Sequence, residues 1–270
     1  MDDRPIGVFD SGIGGLTVFS EIIRLLPDES IIYFGDTARF PYGPKNLEEI
    51  RHFVFKIAEF LIDRNVKMIV IACNTATVAA LDDLKKRYNI PVIGVIEPGA
   101  RIAAQYTTNK RVGLIATKGT VLSQAYEIAV KKINPEIKLF SHAAPKLVEL
   151  IEAGILDGKE LDDVINVYLL PLIMESIDVL ILGCTHLPLI EKKITALSKN
   201  RFKVVSSAVE TAEDVKSTLL ELGLASSKIE NKAGNVKEFY ETGSKSHFLE
   251  VGRIFLGEKI REVKRVTLDI

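Results

Sequence analysis

MIVIACNT, at residues 68–75, has a close counterpart in VLILGCTH, at residues 179–186. Both segments begin with a short apolar run that contains β-branched residues, the pattern of a parallel strand buried on both faces. Each run ends in one of the two cysteines of the chain, Cys73 or Cys184, followed by a polar cap residue and a helical pattern. Each thiol is therefore predicted at the carboxyl end of a strand, just ahead of a helix N-terminus, where open α/β sheets bind ligands and a thiolate is stabilised. Two matched thiols indicate a two-sided proton-transfer site.

Strands and helices are predicted to alternate along nearly the whole sequence. The predicted strands are Ile6–Asp10, Ile31–Phe34, Met68–Ala72, Val92–Ile96, Val112–Ala116, Lys138–Phe140, Val179–Gly183 and Lys203–Val205. The predicted helices are Leu16–Leu26, Leu47–Asn65, Ala76–Tyr88, Val121–Ile133, Leu161–Ser176 and Leu189–Ser198. This order predicts an α/β fold with mostly parallel sheets flanked by helices.

The pattern of segments also repeats. The segment that starts at Ile6 resembles the one that starts at Val112, 106 residues later, and the two cysteine segments are 111 residues apart. Nearly constant spacing indicates that the same series of elements occurs twice. We therefore expect two similar α/β domains related by a pseudo-twofold axis, with the active site between them.

The domain boundaries are predicted from turn signals. Residues 1–97 with 208–270 form the first predicted domain, and residues 98–207 form the second. Glu97-Pro98-Gly99 is interpreted as a turn that closes the first half. The tail from residue 210 is predicted to be mostly amphipathic helix, with turns near Gly223, Gly234 and Gly243, and to complete the first domain. The first domain carries Asp10 and Cys73, and the second carries Glu152, Cys184 and His186.

Composition excludes several classes of function. With 35 basic and 36 acidic residues, the net charge is −1, which does not indicate a surface that binds nucleic acid. No apolar run reaches the roughly 18 residues that a membrane span needs. The first residues lead directly into a strand without a signal-peptide pattern, and only two cysteines are present. We expect free thiols in a reducing cytoplasm.

The first loop, Asp10-Ser11-Gly12-Ile13-Gly14-Gly15, lies between a predicted strand and a predicted helix. Glycines let the backbone approach a ligand, and a helix N-terminus offers N–H groups to an anion. The dinucleotide fingerprint fails because Thr17 replaces its third glycine, and Asp10 would repel a phosphate. A substrate that bears a carboxylate and an ammonium group fits better, although a tight turn without a ligand is an alternative.

The thiols allow other interpretations. A buried cysteine is often only a small apolar residue, and a disulfide would be redox chemistry without a CxxC motif. Cys184 and His186 form only a Cys-x-His pair, too few ligands for a metal site. His186, Asp10 and Glu152 are candidate general acids or bases, and Glu152 is as well explained by a solvated helix end.

Seven motifs in order resemble the glutamate racemases, of the aspartate/glutamate racemase superfamily. They are VFDSGIGGLTV from Val8, YFGDTARFPYG from Tyr33, ACNTA from Ala72, GVIEPG from Gly94, ATKGT from Ala116, LVELIEAG from Leu147 and GCTHLPLI from Gly183. The tail motifs Thr242-Gly243-Ser244 and Phe255-Leu256-Gly257 also fit, so the resemblance spans essentially the whole chain. Aspartate racemases carry a glutamate after the second Cys-Thr, so His186 favours the glutamate enzyme.

The resemblance implies an isomerase that interconverts L- and D-glutamate and supplies D-glutamate for peptidoglycan. Cys73 resembles the base that acts on D-glutamate, assisted by Asp10, and Cys184 the base that acts on L-glutamate, assisted by His186. Glu152 resembles a further catalytic acid and Asp36 a supporting one. The implied substrate contacts are Asp10, Ser11, Pro41, Tyr42, Gly43, Asn74, Thr75, Thr117, Thr120, Thr185 and His186.

The resemblance also implies that neither pyridoxal phosphate nor a metal is needed. It implies glutamate as the partner, with no nucleic acid and no membrane, and it allows a homodimer. Two departures from the family pattern are Ser206, where an aspartate is usual, and Leu187, where an aromatic residue is usual. Two competing classes stay open: a nucleotide-binding module that uses the glycine loop, and a thiol hydrolase or isomerase that acts on a different carboxylate.

Overall fold

The computed structural model describes residues 2–226 and 237–269 of the chain. The chain divides into two compact units, Met1–Val95 with Ala208–Ile270, and Ile96–Ser207. Each unit holds one sheet in which all paired strands are parallel. The prediction of two α/β units with parallel sheets flanked by helices is confirmed.

Ten strands lie in the described part of the chain. They are β1 (Ile6–Asp10), β2 (Ile31–Gly35), β3 (Met68–Ile71), β4 (Val92–Gly94), β5 (Arg111–Ala116), β6 (Lys138–Ala143), β7 (Val179–Gly183), β8 (Lys203–Ser206), β9 (Lys237–Glu241) and β10 (Lys264–Arg265). The α-helices of the same residues are α1 (Leu16–Leu25), α2 (Leu47–Ile62), α3 (Asn74–Arg87), α4 (Ile96–Tyr106), α5 (Lys118–Leu122), α6 (Ala125–Ile133), α7 (Pro145–Glu152), α8 (Lys159–Met174), α9 (Glu191–Leu197), α10 (Ala208–Glu221) and α11 (Lys245–Leu256).

The first unit is a three-layer sandwich around a six-stranded sheet of order β10-β9-β2-β1-β3-β4. Alternate residues of β1 serve the two faces, because successive side chains of a strand point to opposite sides. Val8 packs into the cluster formed with α1, α10 and α11, while Phe9 packs into the cluster formed with α2 and α3. Both faces are therefore dry, which explains why the central strands are continuous apolar runs.

A buried ion pair fastens one end of the first unit. Lys67 is fully buried, and its Nζ lies 2.6 Å from Glu29 Oε2. The same ammonium group donates to the backbone carbonyls of Asp2 and Leu224, at 2.6 and 2.7 Å. One side chain thus ties together the N-terminal segment, the turn before β2 and the segment after α10.

The second unit has a four-stranded sheet of order β6-β5-β7-β8. This order repeats the β2-β1-β3-β4 order of the first sheet strand for strand, as the constant spacing of the segments predicts. Cys73 follows β3 and Cys184 follows β7, so the two thiols occupy corresponding places in the two sheets. The helices α4 and α6 of this unit pack on each other, and α4 also contacts β7 and β8.

Two local predictions are wrong. Glu97-Pro98-Gly99 is not a turn but part of the first turn of α4, where proline is tolerated because its missing N–H would have no helical partner. The single helix predicted over 121–133 is divided into α5 and α6 by Gln124, whose left-handed φ of 56° breaks the helix.

The tail also differs from its prediction. Its described residues contain α10 and α11 as expected, but also β9 and β10, which were not predicted and which extend the first sheet beyond β2. Phe239 and Tyr240 of β9 point into opposite core clusters, a period of two that charged neighbours obscure in the sequence. The chain bends at Gly223 and Gly243 as predicted, whereas the turn predicted near Gly234 lies outside the described residues. None of the helices described is long and apolar enough to cross a bilayer.

Candidate active site

Asp10, the last residue of β1, is completely buried and is bound by the glycine loop that follows it. Its Oδ2 accepts hydrogen bonds from the backbone N–H groups of Gly12 and Gly15, at 3.2 and 3.0 Å. Gly15 is the N-cap of α1, so this carboxylate lies where the helix dipole favours a negative charge. The N–H groups that a phosphate would use at Gly12 and Gly15 already bind Asp10, which argues against a nucleotide-binding loop.

Gly15 is needed for close packing. A Cβ atom at this position would come within 2.6 Å of Asp10 Cβ, 2.8 Å of the Tyr33 hydroxyl and 3.0 Å of Ala72 Cβ. The Tyr33 hydroxyl also donates to the carbonyl of Gly12 at 2.9 Å. The loop is thus held by the core beneath it, which fixes the position of the Asp10 carboxylate.

Cys73 caps helix α3 with its own sulfur. Its Sγ accepts a hydrogen bond from the N–H of Ala76 at 3.4 Å, and it lies 3.6 Å from the hydroxyl of Ser11. The prediction of a thiol at a helix N-terminus is correct here, but the cap is the cysteine itself and not the polar residue after it. Because a helix N-terminus favours negative charge, this position stabilises the thiolate of Cys73.

Asp36, just beyond β2, organises the loop that follows this strand. It is fully buried, and its Oδ2 accepts a hydrogen bond from the hydroxyl of Tyr42 at 2.6 Å. Arg39 donates to Oδ1, also at 2.6 Å. Burial and the neighbouring Asp36 carboxylate raise the pKa of Tyr42 well above 10.0, and negative charge on Cys73 adds to this effect. Tyr42 is therefore a neutral hydrogen-bond donor that lies near the Cys73 thiol.

Cys184 has a different local setting. It follows β7, but the next element is a 3-10 helix at Leu187–Ile190, and α9 begins only at Glu191. The expectation of an α-helix N-terminus directly after this thiol is therefore wrong. The proline at position 188 and a bond from the N–H of Leu187 to the Cys184 carbonyl form this tighter turn.

Two side chains, those of His186 and Glu152, form the polar environment of Cys184. Its Sγ lies 3.7 Å from Nδ1 of His186, and Nε2 of the same ring lies 2.6 Å from Oε2 of Glu152. Glu152 is the last residue of α7, and its side chain is 15% exposed, against 3% for His186. The structure therefore places Glu152 at the far ring nitrogen of His186, and this contact, rather than solvation alone, accounts for its position.

The ionisation of His186 follows from these contacts. Burial alone would lower the pKa of the imidazole, but the hydrogen bonds and negative charges of Cys184 and Glu152 outweigh burial and raise this pKa well above 6.5. An imidazolium that is held between a sulfur and a carboxylate stabilises the thiolate form of Cys184. The arrangement is suited to proton transfer at the sulfur.

The other predicted substrate contacts also lie just beyond the carboxyl ends of strands. Asn74 and Thr75 are buried in the first turn of α3, and Thr185 is buried next to Cys184. Thr117 is the N-cap of α5 and contacts the hydroxyl of Thr120 at 3.0 Å. Further members of the set, in the loops after β1 and β2, are Ser11, Pro41 and Gly43. Their role toward a substrate stays a prediction.

Sequence reasoning did not place Tyr126 near Cys184, nor did it connect Thr242 of the tail motif to Asp36. Tyr126 is buried in α6, and burial together with negative charge on Cys184 raises its pKa far above its usual value. Its position inside a helical pattern gave no signal of this proximity. Thr242 donates from its hydroxyl to Oδ1 of Asp36 at 2.8 Å, although it lies 206 residues away in sequence. Within residues 2–226 and 237–269, no group of three or more His, Cys, Asp and Glu side chains is arranged to hold a metal ion.

Comparison with known proteins defines the class first. The family model for Asp/Glu/hydantoin racemases matches residues 6–215, and the chain belongs to this family of isomerases. Within the family, it is 46% identical to the glutamate racemase of Oceanobacillus iheyensis over 95% of this chain and 93% of that protein. The resemblance to glutamate racemases that the motifs indicate is thereby confirmed.

Solved structures agree with this grouping. The RacE1 glutamate racemase of Bacillus anthracis superposes with a TM-score of 0.92 and 42% identity over 99% of each chain. The glutamate racemase of Francisella tularensis, solved in complex with D-glutamate, gives a TM-score of 0.92 and 38% identity, covering 100% of this chain and 99% of that one. The two-unit fold is therefore that of the glutamate racemases.

Proposed function

We propose that this protein is a glutamate racemase that interconverts L- and D-glutamate by proton transfer at Cα between two thiols, without a cofactor. The observation that carries the proposal is the pair of thiols at corresponding places, after β3 and after β7, each with polar partners of its own. Membership in the racemase family and the similarity to glutamate racemases supply the substrate.

In this mechanism, one cysteine removes the α-proton as a thiolate and the other returns a proton to the opposite face as a thiol. By resemblance, Cys73 acts on D-glutamate and Cys184 acts on L-glutamate. In the L-to-D direction, the Cα–H bond of L-glutamate breaks, its proton passes to the Cys184 sulfur, and the Cys73 thiol gives its proton to the carbanion. This turnover leaves Cys184 as the thiol and Cys73 as the thiolate, which is the form that acts on D-glutamate in the reverse reaction. Loss of a proton from Cys184 to solvent and uptake of one by Cys73 restore the form that acts on L-glutamate.

Different groups stabilise the thiolate forms of the two cysteines. Cys73 has the N–H of Ala76 at the start of α3, whereas Cys184 has the imidazolium of His186. Both groups favour the thiolate without an external base. The carbanion is a stronger base than either thiolate, so catalysis also needs donors to the substrate carboxylate, each worth about 3 kcal/mol. The N–H and hydroxyl groups of Ser11, Asn74 and Thr185 are assigned to this task.

The test is circular dichroism of L-glutamate that is incubated with the purified protein in the presence of a chelator. We expect the optical signal to decay to zero while the amino-acid concentration stays constant, because the two enantiomers have equal free energies. A constant signal under these conditions would overturn the proposal. L-Aspartate and simple diacids are assayed in parallel, because their turnover at the rate of glutamate would favour the alternative of a different carboxylate substrate.

The proposal extends to the role of the product. D-Glutamate made in the cytoplasm would supply peptidoglycan synthesis, and depletion of the protein should then be rescued by D-glutamate in the growth medium. Glutamate is the small-molecule partner in this proposal. A homodimer stays a prediction, which sedimentation of the purified protein tests.

A further inference from the structure

The C-terminal segment supplies a clamp to the loop that follows β2. We call residues 241–243, at the end of β9, the β9 clamp. Its central residue, Thr242, donates from its hydroxyl to Oδ1 of Asp36 at 2.8 Å and accepts from the N–H of Ala38 at 3.0 Å. The N–H of Thr242 also donates to the carbonyl of Gly35 at 3.3 Å. Thr242 thus forms hydrogen bonds with the last residue of β2 and with two residues of the loop that follows it.

The flanking residues of the clamp fix Thr37. Its hydroxyl donates to Oε2 of Glu241 at 2.7 Å and accepts from the N–H of Gly243 at 2.9 Å. That N–H also donates to the Glu241 carboxylate, which is fully buried. A Cβ at Gly243 would come within 2.7 Å of the Thr37 hydroxyl oxygen, so only glycine allows this approach. The clamp therefore holds the loop in a single register.

The clamp connects to the Cys73 half of the site through Asp36. While Thr242 binds Oδ1, the other oxygen of this carboxylate accepts the hydroxyl of Tyr42 at 2.6 Å. Tyr42 and Cys73 belong to the same buried cluster. A hydroxyl that keeps Asp36 in place therefore also sets the position of Tyr42 and of the backbone that continues to Gly43.

We infer that Thr242 is a positioning residue for the Cys73 step of the reaction: through Asp36, it holds Tyr42 and its loop against the thiol. The inference rests on the proposed function, because it assigns Thr242 to the half-reaction in which Cys73 exchanges a proton with Cα. It also gives the tail of the chain a part in the chemistry of the first unit.

The first test compares Thr242→Val, which removes the hydroxyl at nearly constant volume, with Thr242→Ser, which retains it. We expect a fall in kcat of about tenfold or more for the valine variant, as the loss of a hydrogen bond to a buried charge predicts, and near wild-type turnover for serine. Thr242→Ala is made in parallel, so that loss of the hydroxyl is tested even if valine does not fit. Equal activity of the valine or alanine variant and the serine variant would overturn the inference.

Deuterium isotope effects separate positioning from a general loss of stability. Because the equilibrium constant between enantiomers is one, kcat/KM must fall equally in both directions, but the isotope effects can diverge. If the Cys73 step is slowed, the primary isotope effect on kcat/KM measured with α-deuterated D-glutamate increases, because Cys73 removes that deuteron. The isotope effect measured with α-deuterated L-glutamate decreases, because removal of its deuteron by Cys184 then limits the rate less. A uniform loss of active protein changes neither effect, and that outcome would contradict the inference.

A double-mutant cycle tests the route through Asp36. If Thr242 acts through Asp36 on Tyr42, then Thr242→Val should cost little in the background of Tyr42→Phe, because the target hydroxyl is already gone. Additive losses would refute this route.

Thiol labelling gives a readout that is independent of racemisation. The chain has only two cysteines, so alkylation by iodoacetamide can be followed at each by peptide mass spectrometry. We expect the valine variant to change the labelling rate at Cys73 and not at Cys184. An unchanged rate at Cys73 would count against the inference. If the wild-type protein does not racemise glutamate, the proposed function fails, whereas a changed rate at Cys73 would still establish the link from Thr242 to the thiol.

Discussion

Glu152→Gln removes the negative charge that lies next to Nε2 of His186, while the glutamine keeps nearly the shape of the glutamate side chain. The two groups are 2.6 Å apart, and the Glu152 side chain is only 15% exposed, so solvent screens the contact weakly. A hydrogen bond between charged groups is worth about 1.5–3 kcal/mol, which corresponds to a loss of about 10- to 150-fold in kcat/KM. We expect the lower half of this range, because the glutamine can still accept a hydrogen bond from the ring.

The pH dependence of the Glu152→Gln variant shows in which direction Glu152 shifts the pKa of His186. Glu152 contributes to a raised pKa at His186, so its neutralisation lowers this pKa. If the imidazolium supports the Cys184 thiolate, activity is lost as the pH rises through the pKa of His186. The alkaline limb of the pH–rate profile should therefore move to lower pH in the variant. The linked stability follows the same sign: the contribution of His186 is fully present below about pH 6.5 and is lost as the pH rises through the higher pKa of the folded state.

The assay is the initial rate of racemisation by circular dichroism across the alkaline range. Glu149→Gln is the matched control, because Glu149 lies on the same helix but its side chain is 63% exposed and forms a surface ion pair with Lys146, at 3.6 Å. The control should behave as the wild type. If Glu152→Gln and Glu149→Gln had the same kcat/KM and the same alkaline limb, the assignment of Glu152 to His186 would be wrong.

Three further predictions follow from the same contacts. Cys73→Ser and Cys184→Ser should each nearly abolish racemisation with little change in melting temperature, and wild-type turnover in either would refute the two-thiol mechanism. Gly15→Ala should destabilise the protein by about 1–3 kcal/mol in urea unfolding, because the added methyl group would come within 2.6 Å of Asp10 Cβ; an unchanged midpoint would contradict this packing. Lys67→Met should cost about 3–5 kcal/mol, since it leaves Glu29 buried without its cation, and adding Glu29→Gln should recover part of the loss. A fully additive double variant would disprove this pairing.

Much of the scaffold could be predicted because it depends on short apolar runs. The predicted strand at Ile6–Asp10 agrees with the structure residue for residue, and so does Val179–Gly183, because each is a short, mostly apolar run of the kind that a buried parallel strand requires. By contrast, β9 was missed. Its five residues include three charges at Lys237, Glu238 and Glu241, and only packing against both core clusters makes it a strand.

The contacts that prepare the site could not be predicted in the same way. The position of each thiol follows from local pattern, but the bond between Glu152 and His186 joins residues 34 apart in sequence. The bond between Thr242 and Asp36 joins residues 206 apart. Such pairs depend on how the elements pack in three dimensions, which a periodicity in one sequence does not encode. The Cys73 sulfur as a helix cap is a further case, since capping preferences favour oxygen side chains.

Solvent deuterium incorporation tests two-thiol proton transfer most directly. L-Glutamate is incubated briefly with the protein in D2O, the two enantiomers are separated, and the deuterium content of each is measured by mass spectrometry. The account predicts that the D-glutamate formed carries one deuterium at Cα while the unreacted L-glutamate still carries hydrogen, because the proton that one sulfur removes is not the one that the other returns. Early D-glutamate that retains the original α-hydrogen would contradict it.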